Sequence, residues 1–247
     1  MQRAEVGKNL TFTALPGDAN NYNGDTMIVP SDKSYKQTKK MKLGKATMKP
    51  EFRELAEWID QTYRVKTLNI IYETIDHGER SRLEIHVESH ANYRKLFGRK
   101  FYNSNPETEA AIIEKFKQTL RGKALKNICL TEKIFTFYAA FEPIAQDEAN
   151  MNIPKEKIEE LKKSINNKDL WEISRFFSKT TFFVFTDKQL KKYEKSKARK
   201  EWANQYFDLL EPYNEFGYFK REKFSIALDS KENFDNNYKS SWYYYYH

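Results

Sequence analysis

From Lys66 to Glu88, apolar residues recur at every second position on both sides of a His77-Gly78 pair. A period of two with a turn at its centre predicts an antiparallel hairpin with one dry face. A two-residue turn fits at His77-Gly78, because such turns need positive φ, which glycine tolerates freely and histidine better than branched residues do. Pairing outward from Asp76 opposite Glu79 sets Glu73 against Arg82 and Tyr72 against Leu83. One face then carries Leu68, Ile70, Tyr72, Leu83, Ile85 and Val87. The other carries Thr67, Asn69, Ile71, Glu73, Arg82, Glu84, His86 and Glu88. The opposite charges of Glu73 and Arg82 support that register.

A second hairpin is predicted from Leu170 to Asp187. With a turn at Ser178-Lys179, Trp171, Ile173, Phe177, Phe182 and Val184 share the face that packs on helices. Phe176, Phe183 and Phe185 fall on the opposite face with Glu172, Ser174 and Thr181. Three phenylalanines on a face that is polar in the first hairpin require a cover, supplied by a partner or by the chain itself.

Helical patterns surround both hairpins. Pro50 opens one helix, with Phe52, Leu55, Ala56, Ile59 and Tyr63 as its buried stripe, and Asn92 to Phe97 forms a short helical turn. Asn105-Pro106-Glu107 opens another, with Ile112, Ile113, Phe116 and Leu120 inside and Gly122 at its end. Strands follow at Asn127 to Thr131 and Ile134 to Phe141. Pro154 restarts the order: a helix with Ile158, Leu161 and Ile165 on one face, the second hairpin, a long helical region from Lys188 to about Glu211, and a strand from Phe224 to Leu228.

If a strand precedes each half, Leu10 to Leu15 or Thr26 to Pro30 for the first and Ile134 to Phe141 for the second, the order is βαββαβ. The expected fold is therefore α+β, with two tandem ferredoxin-like units whose sheets are antiparallel. Residues 1–49 form a basic N-terminal arm or cover strand, 50–149 the first unit, and 150–247 the second. Trp242 and four tyrosines make a C-terminal strand of the second unit.

Aromatics are 15% of the 247 residues, so the core is expected to be built largely of Phe and Tyr. Eight glycines leave no Gly-rich phosphate loop. No apolar run approaches the ~18 residues of a membrane helix, and the first residues lack the apolar core of a signal peptide. The single cysteine, Cys129, has no internal disulfide partner and is expected in a strand. A soluble, cytoplasmic protein follows, with no cofactor and no membrane partner.

The net charge of +8 is local. Residues 1–49 hold nine basic and four acidic side chains, and Lys188 to Lys200 hold seven and one, so the rest of the chain is net negative. Concentrated charge suits a docking patch.

Three of the four histidines, His77, His86 and His90, lie among Glu73, Asp76, Glu79, Glu84 and Glu88. His86-Val87-Glu88 resembles, in its first two positions, the His-hydrophobic-His motif of rolling-circle replication endonucleases. Glu88 stands where that motif has its second histidine. Likewise Lys179 to Phe185 resembles the signature strand of RNA-recognition modules at its basic start, Phe183 and Val184, and lacks the glycine and the first aromatic. Two functions follow. The first is a non-catalytic binding or assembly protein that uses Phe176, Phe183 and Phe185 with Lys188, Lys191, Lys192, Lys195, Lys197, Arg199 and Lys200. A protein partner or a second copy of the chain is weighed above single-stranded nucleic acid. The alternative is a metal-dependent enzyme, a nuclease, centred on His86, Glu88 and His90.

Overall fold

The first hairpin of the computed structural model, which describes residues 28–98, 105–121 and 133–246, forms in the register that the alternation requires. Strands β1 (Thr67–Ile75) and β2 (Arg80–Val87) pair antiparallel, with Glu73 opposite Arg82 and Tyr72 opposite Leu83. Its turn is longer than two residues. Asp76–Gly78 make a 3-10 turn with positive φ at all three positions, and pairing resumes at Ile75 and Arg80.

Helix α1 (Lys33–Lys42) and helix α2 (Pro50–Tyr63) precede this hairpin. Helices α3 (His90–Phe97) and α4 (Pro106–Arg121), strand β3 (Lys133–Ala140) and helix α5 (Phe141–Met151) follow it. The second half runs α6 (Lys155–Ile165), β4 (Leu170–Phe176), β5 (Lys179–Val184), α7 (Asp187–Glu194), α8 (Ala198–Leu210), β6 (Ala227–Ser230), α9 (Lys231–Tyr238) and α10 (Trp242–Tyr246). Pro50 occupies the first turn of α2, and Pro154 caps α6.

The architecture is α+β, and the ferredoxin-like expectation is corrected. Each half has a three-stranded mixed sheet, ordered β1-β2-β3 and β4-β5-β6, whose third strand runs parallel to the middle one. The physical reason is the crossover. After β2 and after β5 the chain spends two helices returning to the starting end of the sheet, so the next strand enters in the same direction as the one it left. β3 belongs to the first sheet through its pairing with β2, so it does not open the second unit. Leu10 to Leu15 and Asn127 to Thr131 lie outside the described residues, as do Thr26 and Met27. Ile28 to Pro30 are not in a strand. The expected boundary at 149/150 falls inside α5.

Correspondence between the halves extends to local detail. Both first strands carry a register shift at their start, between Thr67 and Asn69 and between Leu170 and Glu172. That irregularity turns the intervening residue to the far side of the sheet. Leu68 packs with Tyr35 and Phe141, and Trp171 packs with Phe183 and Trp242, whereas simple alternation put both on the inner face. The side chains of Ser89 and Thr186 cap α3 and α7. Glu142 and Glu232, each the second residue of its helix, accept from the first backbone N–H of α3 and of α7, at 3.3 and 3.0 Å. Each carboxylate thus sits at the positive end of a helix dipole.

The inner face of each sheet is covered by the helix that precedes its hairpin, α2 or α6, together with the crossover helices. Leu55, Ile59, Leu83, Ile85 and Ile112 are fully buried in the first core, and Phe182, Val184, Tyr206 and Leu210 in the second. The outer faces are covered by the ends of the described chain. The expected N-terminal cover strand is a helix, α1, which lays Tyr35 and Thr38 on the first sheet's side. The expected C-terminal strand is also helical. In α10, Trp242, Tyr245 and Tyr246 share one face by i, i+3, i+4 spacing and lie on Phe183 and Phe176, while Tyr243 and Tyr244 point outward. The second hairpin turns at Phe177-Ser178 and pairs Phe176 with Lys179, one residue earlier than expected; positive φ at Phe177 permits it. The long helical region after it is broken at Lys195–Lys197 into α7 and α8.

Ending the chain at Ser240 removes α10 and uncovers Trp171, Phe176 and Phe183. The loss expected is about 3–5 kcal/mol, the range of a large core truncation, read as a lower urea midpoint. An unchanged midpoint means that α10 covers nothing of consequence.

Candidate functional site

Two places gather polar or charged groups beyond what packing needs. The first lies on the outer face of the β1–β2 hairpin, under α1. Alternation along β2 places Arg82, Glu84 and His86 on that face. His86 and Glu84 are both buried, and the His86 Nε2 lies 2.5 Å from Glu84 Oε1. Arg82 contacts the other Glu84 oxygen at 3.3 Å and forks onto Glu73 of β1, with Nε at 2.8 Å from Oε1. Beside them Asn69 Nδ2 donates to Thr38 Oγ1 at 3.1 Å, and that hydroxyl donates to the Ser34 carbonyl. The Nδ1 of His86 is buried without a hydrogen-bond partner. Burial pushes the Glu84 carboxyl up. The bond and charge from His86, with Ser34 and Arg82, outweigh it and hold the carboxyl below its ordinary range. A cleft of about 520 Å³ opens here, lined by Ser34, Lys33, Glu73, Arg82, Glu84 and Tyr72 among others.

The proposed metal trio is not assembled. His86 faces Glu84 on the outer side of the hairpin. Glu88, just past the end of β2, is held by Lys42 Nζ at 2.6 Å, Tyr218 Oη at 2.5 Å and Lys66 Nζ at 3.1 Å. Burial raises the Glu88 carboxyl, and those three partners bring it below the usual value. His90 is exposed at the start of α3 and stacks on Tyr93 at 5.9 Å. Among the described residues no group of three His, Cys, Asp or Glu side chains is placed to hold a metal ion.

The second place is the outer face of the β4–β5 hairpin with the surface beyond it. Phe183 is fully buried, its ring 5.3 Å from Trp242, 5.2 Å from Tyr245 and 5.8 Å from Trp171. Phe176 stacks on Tyr246 at 4.3 Å. The chain's own C-terminal helix therefore fills the aromatic face. Of the three rings read as a binding surface only Phe185, 43% exposed, faces solvent.

The basic residues are distributed otherwise. Lys188, Lys191, Lys192 and Lys195 follow helical spacing along α7 and just past its end, and Lys197, Arg199 and Lys200 continue into α8; all seven are exposed. Two have internal partners: Lys192 pairs with Asp169 at 3.1 Å, and Arg199 donates to the Ile226 carbonyl. Among the described residues Lys188, Lys191, Lys195, Lys197 and Lys200 make no ion pair. α7 itself is fixed by a capping box between Thr186 and Gln189 and by Tyr193, which is buried under it.

Sequence reasoning reached Arg82, Glu84 and His86 but left them on a wet face. The signal for their cover was Tyr35 and Thr38, three residues apart in a segment otherwise full of lysine. No family model matches this chain, and no curated protein or solved structure is significantly similar to it. Among the described residues no helix is long and apolar enough to cross a membrane.

The matching positions of Glu84 and His86 on the second sheet are Thr181 and Phe183, each two residues apart on its middle strand. Replacing the pair together, Glu84→Thr with His86→Phe, is expected to leave stability unchanged or raised by about 1–4 kcal/mol. Glu84→Ala alone is expected to lose about 3–5 kcal/mol, because it strands a buried partner. The wild type carries an acid sensitivity that the double variant lacks. A depressed carboxyl stabilises fully above its unfolded value of 4.5 and loses that contribution as pH falls through the lower folded value. Urea midpoints at neutral and acid pH read both effects, and equal acid sensitivity in the two proteins would refute the assignment to Glu84.

Proposed function

We propose that this chain is a non-catalytic binding protein that engages the phosphates of a nucleic acid through the basic surface of α7 and the start of α8. The observation that carries it is the group of five exposed cations, Lys188, Lys191, Lys195, Lys197 and Lys200, with no ion pair among the described residues. Cations needed only for solubility are commonly interspersed with acids, and here Glu194 is the single acid between Lys188 and Lys200. The rigid mounting of α7 supports a docking role, since a capped and packed helix presents its lysines without first having to be ordered.

α10 lies on Phe176 and Phe183, so the sheet face they share offers neither a protein partner nor a base an open surface. Phosphate contacts release counterions, so binding of this kind weakens steeply with salt. The nuclease alternative draws no support from His86, Glu88 and His90, which face three different sets of partners.

The test is affinity for a labelled oligonucleotide between about 50 and 200 mM salt. The expected result is binding at low salt that falls steeply across the range. In the variant Lys191→Ala, Lys195→Ala, Lys200→Ala the log–log salt slope should be shallower by about one for each lysine removed. Absence of binding at low salt, or a slope unaltered in the variant, ends this reading.

A further inference from the structure

Strand β1 stands at the outside of its sheet, and among the described residues it pairs on one side only, with β2. In an antiparallel pair, alternate residues turn both N–H and C=O toward the partner strand, and the residues between them turn both groups away. An edge strand therefore presents a row of backbone groups to whatever lies beside it.

Beside β1 lies the cleft of about 520 Å³. Four consecutive residues of the strand, Ile70, Ile71, Tyr72 and Glu73, line it. Successive side chains of a strand point to opposite faces, so a cleft that meets four in a row opens along the edge, where both faces are reached. Its walls agree with that position. Ser34 and Gln37 come from α1, which covers the outer face, and Phe52 comes from α2, which packs on the inner one. Four residues of strand span about 13 Å, and the volume lies within the ~300–1,000 Å³ of ligand clefts.

The charged groups of the lining differ in how they are engaged. Arg82 contacts both Glu73 and Glu84, and Asp32, which makes no ion pair among the described residues, accepts from the Val29 N–H at 2.7 Å. Lys33, in the first turn of α1, and Lys49, which immediately precedes α2, are exposed and make no ion pair among the described residues. One cation without a counter-charge thus stands on each wall.

We infer that the β1 edge takes an extended segment of a partner protein as an added strand, with main-chain hydrogen bonds to β1 and acidic side chains on Lys33 and Lys49. In strand addition the backbone gives affinity and alternate side chains give selectivity. The two lysines belong to opposite walls, and neighbouring side chains of a strand point to opposite faces, so the segment that satisfies both carries two adjacent acids. Its uncharged side chains meet Ile28, Ile71 and Phe52. This site shares no residue with the α7 surface, and neither reading needs the other.

The experiment uses the full chain, isotope-labelled, and a capped peptide of about six residues with two adjacent glutamates between valines and threonines. Two further peptides carry N-methyl groups, one at the odd positions and one at the even, which keeps every side chain and removes alternate main-chain donors. The protein variant is Lys33→Ala with Lys49→Ala, whose urea midpoint should match the wild type because both side chains are exposed. The expected results are saturable shifts in the backbone amide resonances of Ile70 to Glu73, and a loss of about tenfold or more with one N-methylated peptide and not the other. Each lysine removed is expected to weaken binding roughly twofold to fivefold. Equal behaviour of the two N-methylated peptides, or shifts confined to α7 and α8, overturns strand addition. A lysine variant that binds as the wild type does overturns the preference for acids. Absence of binding overturns the inference as a whole, and if the chain then sediments as a dimer, a second copy becomes the occupant of the edge.

Discussion

A three-stranded sheet has two faces, and here both must leave water. The crossover helices reach only one of them, so each sheet depends on a further layer: α1 for the first, α9 and α10 for the second. The need for that second layer determines much of the rest. It explains why Leu68 and Trp171 are turned outward by matching irregularities at the starts of β1 and β4, since each gives the outer layer an apolar anchor. It also explains why the ends of the described chain are helical, with one apolar face each.

The two outer layers are built from different chemistry on the same frame. Over the second sheet, rings pack on rings, and burial of that kind is favourable and undirected. Over the first, Glu84 and His86 are buried and bonded to each other, and Arg82, which lines the cleft, joins Glu84 to Glu73. Phe183 at the position matching His86 indicates that the frame itself does not demand charge there. α1 is tied to the first sheet by the bond from Asn69 to Thr38, and α10 to the second by the Tyr246–Ser174 and Tyr245–Asp229 bonds beside its ring packing.

The local grammar of this chain was legible in its residues. Alternation gave the first hairpin's register, and prolines at 50, 106 and 154 marked helix starts. Strand direction was not legible, because a run such as Ile134 to Phe141 has the same pattern whether it pairs parallel or antiparallel; only the length of the crossover favours the former. Four consecutive tyrosines are equally ambiguous, since a strand buries alternate ones and a helix those at i, i+3 and i+4. The site divides in the same way. The α7–α8 lysines were visible as composition, and their exposure follows from helical spacing around Tyr193. The enclosure of Glu84 and His86 depends on α1, which lies far away in sequence and has only two buried residues to announce it.

α5 closes the first sheet's connectivity and yet carries the groups that fasten the second. Its Glu148 accepts from Tyr35 and Lys39 of α1, both at 2.7 Å. Two residues on, Asn150 donates to the Phe177 carbonyl at the turn of the second hairpin and accepts from the Tyr206 hydroxyl at 2.6 Å. Burial pushes that hydroxyl up to about 12, so it stays a donor across the physiological range. The last turn of one short helix thus holds both the cap, through Glu148, and the hairpin, through Asn150. A displacement of α1 has a rigid route of less than one helical turn, from Glu148 to Asn150, to the turn that sets the edge of the second sheet.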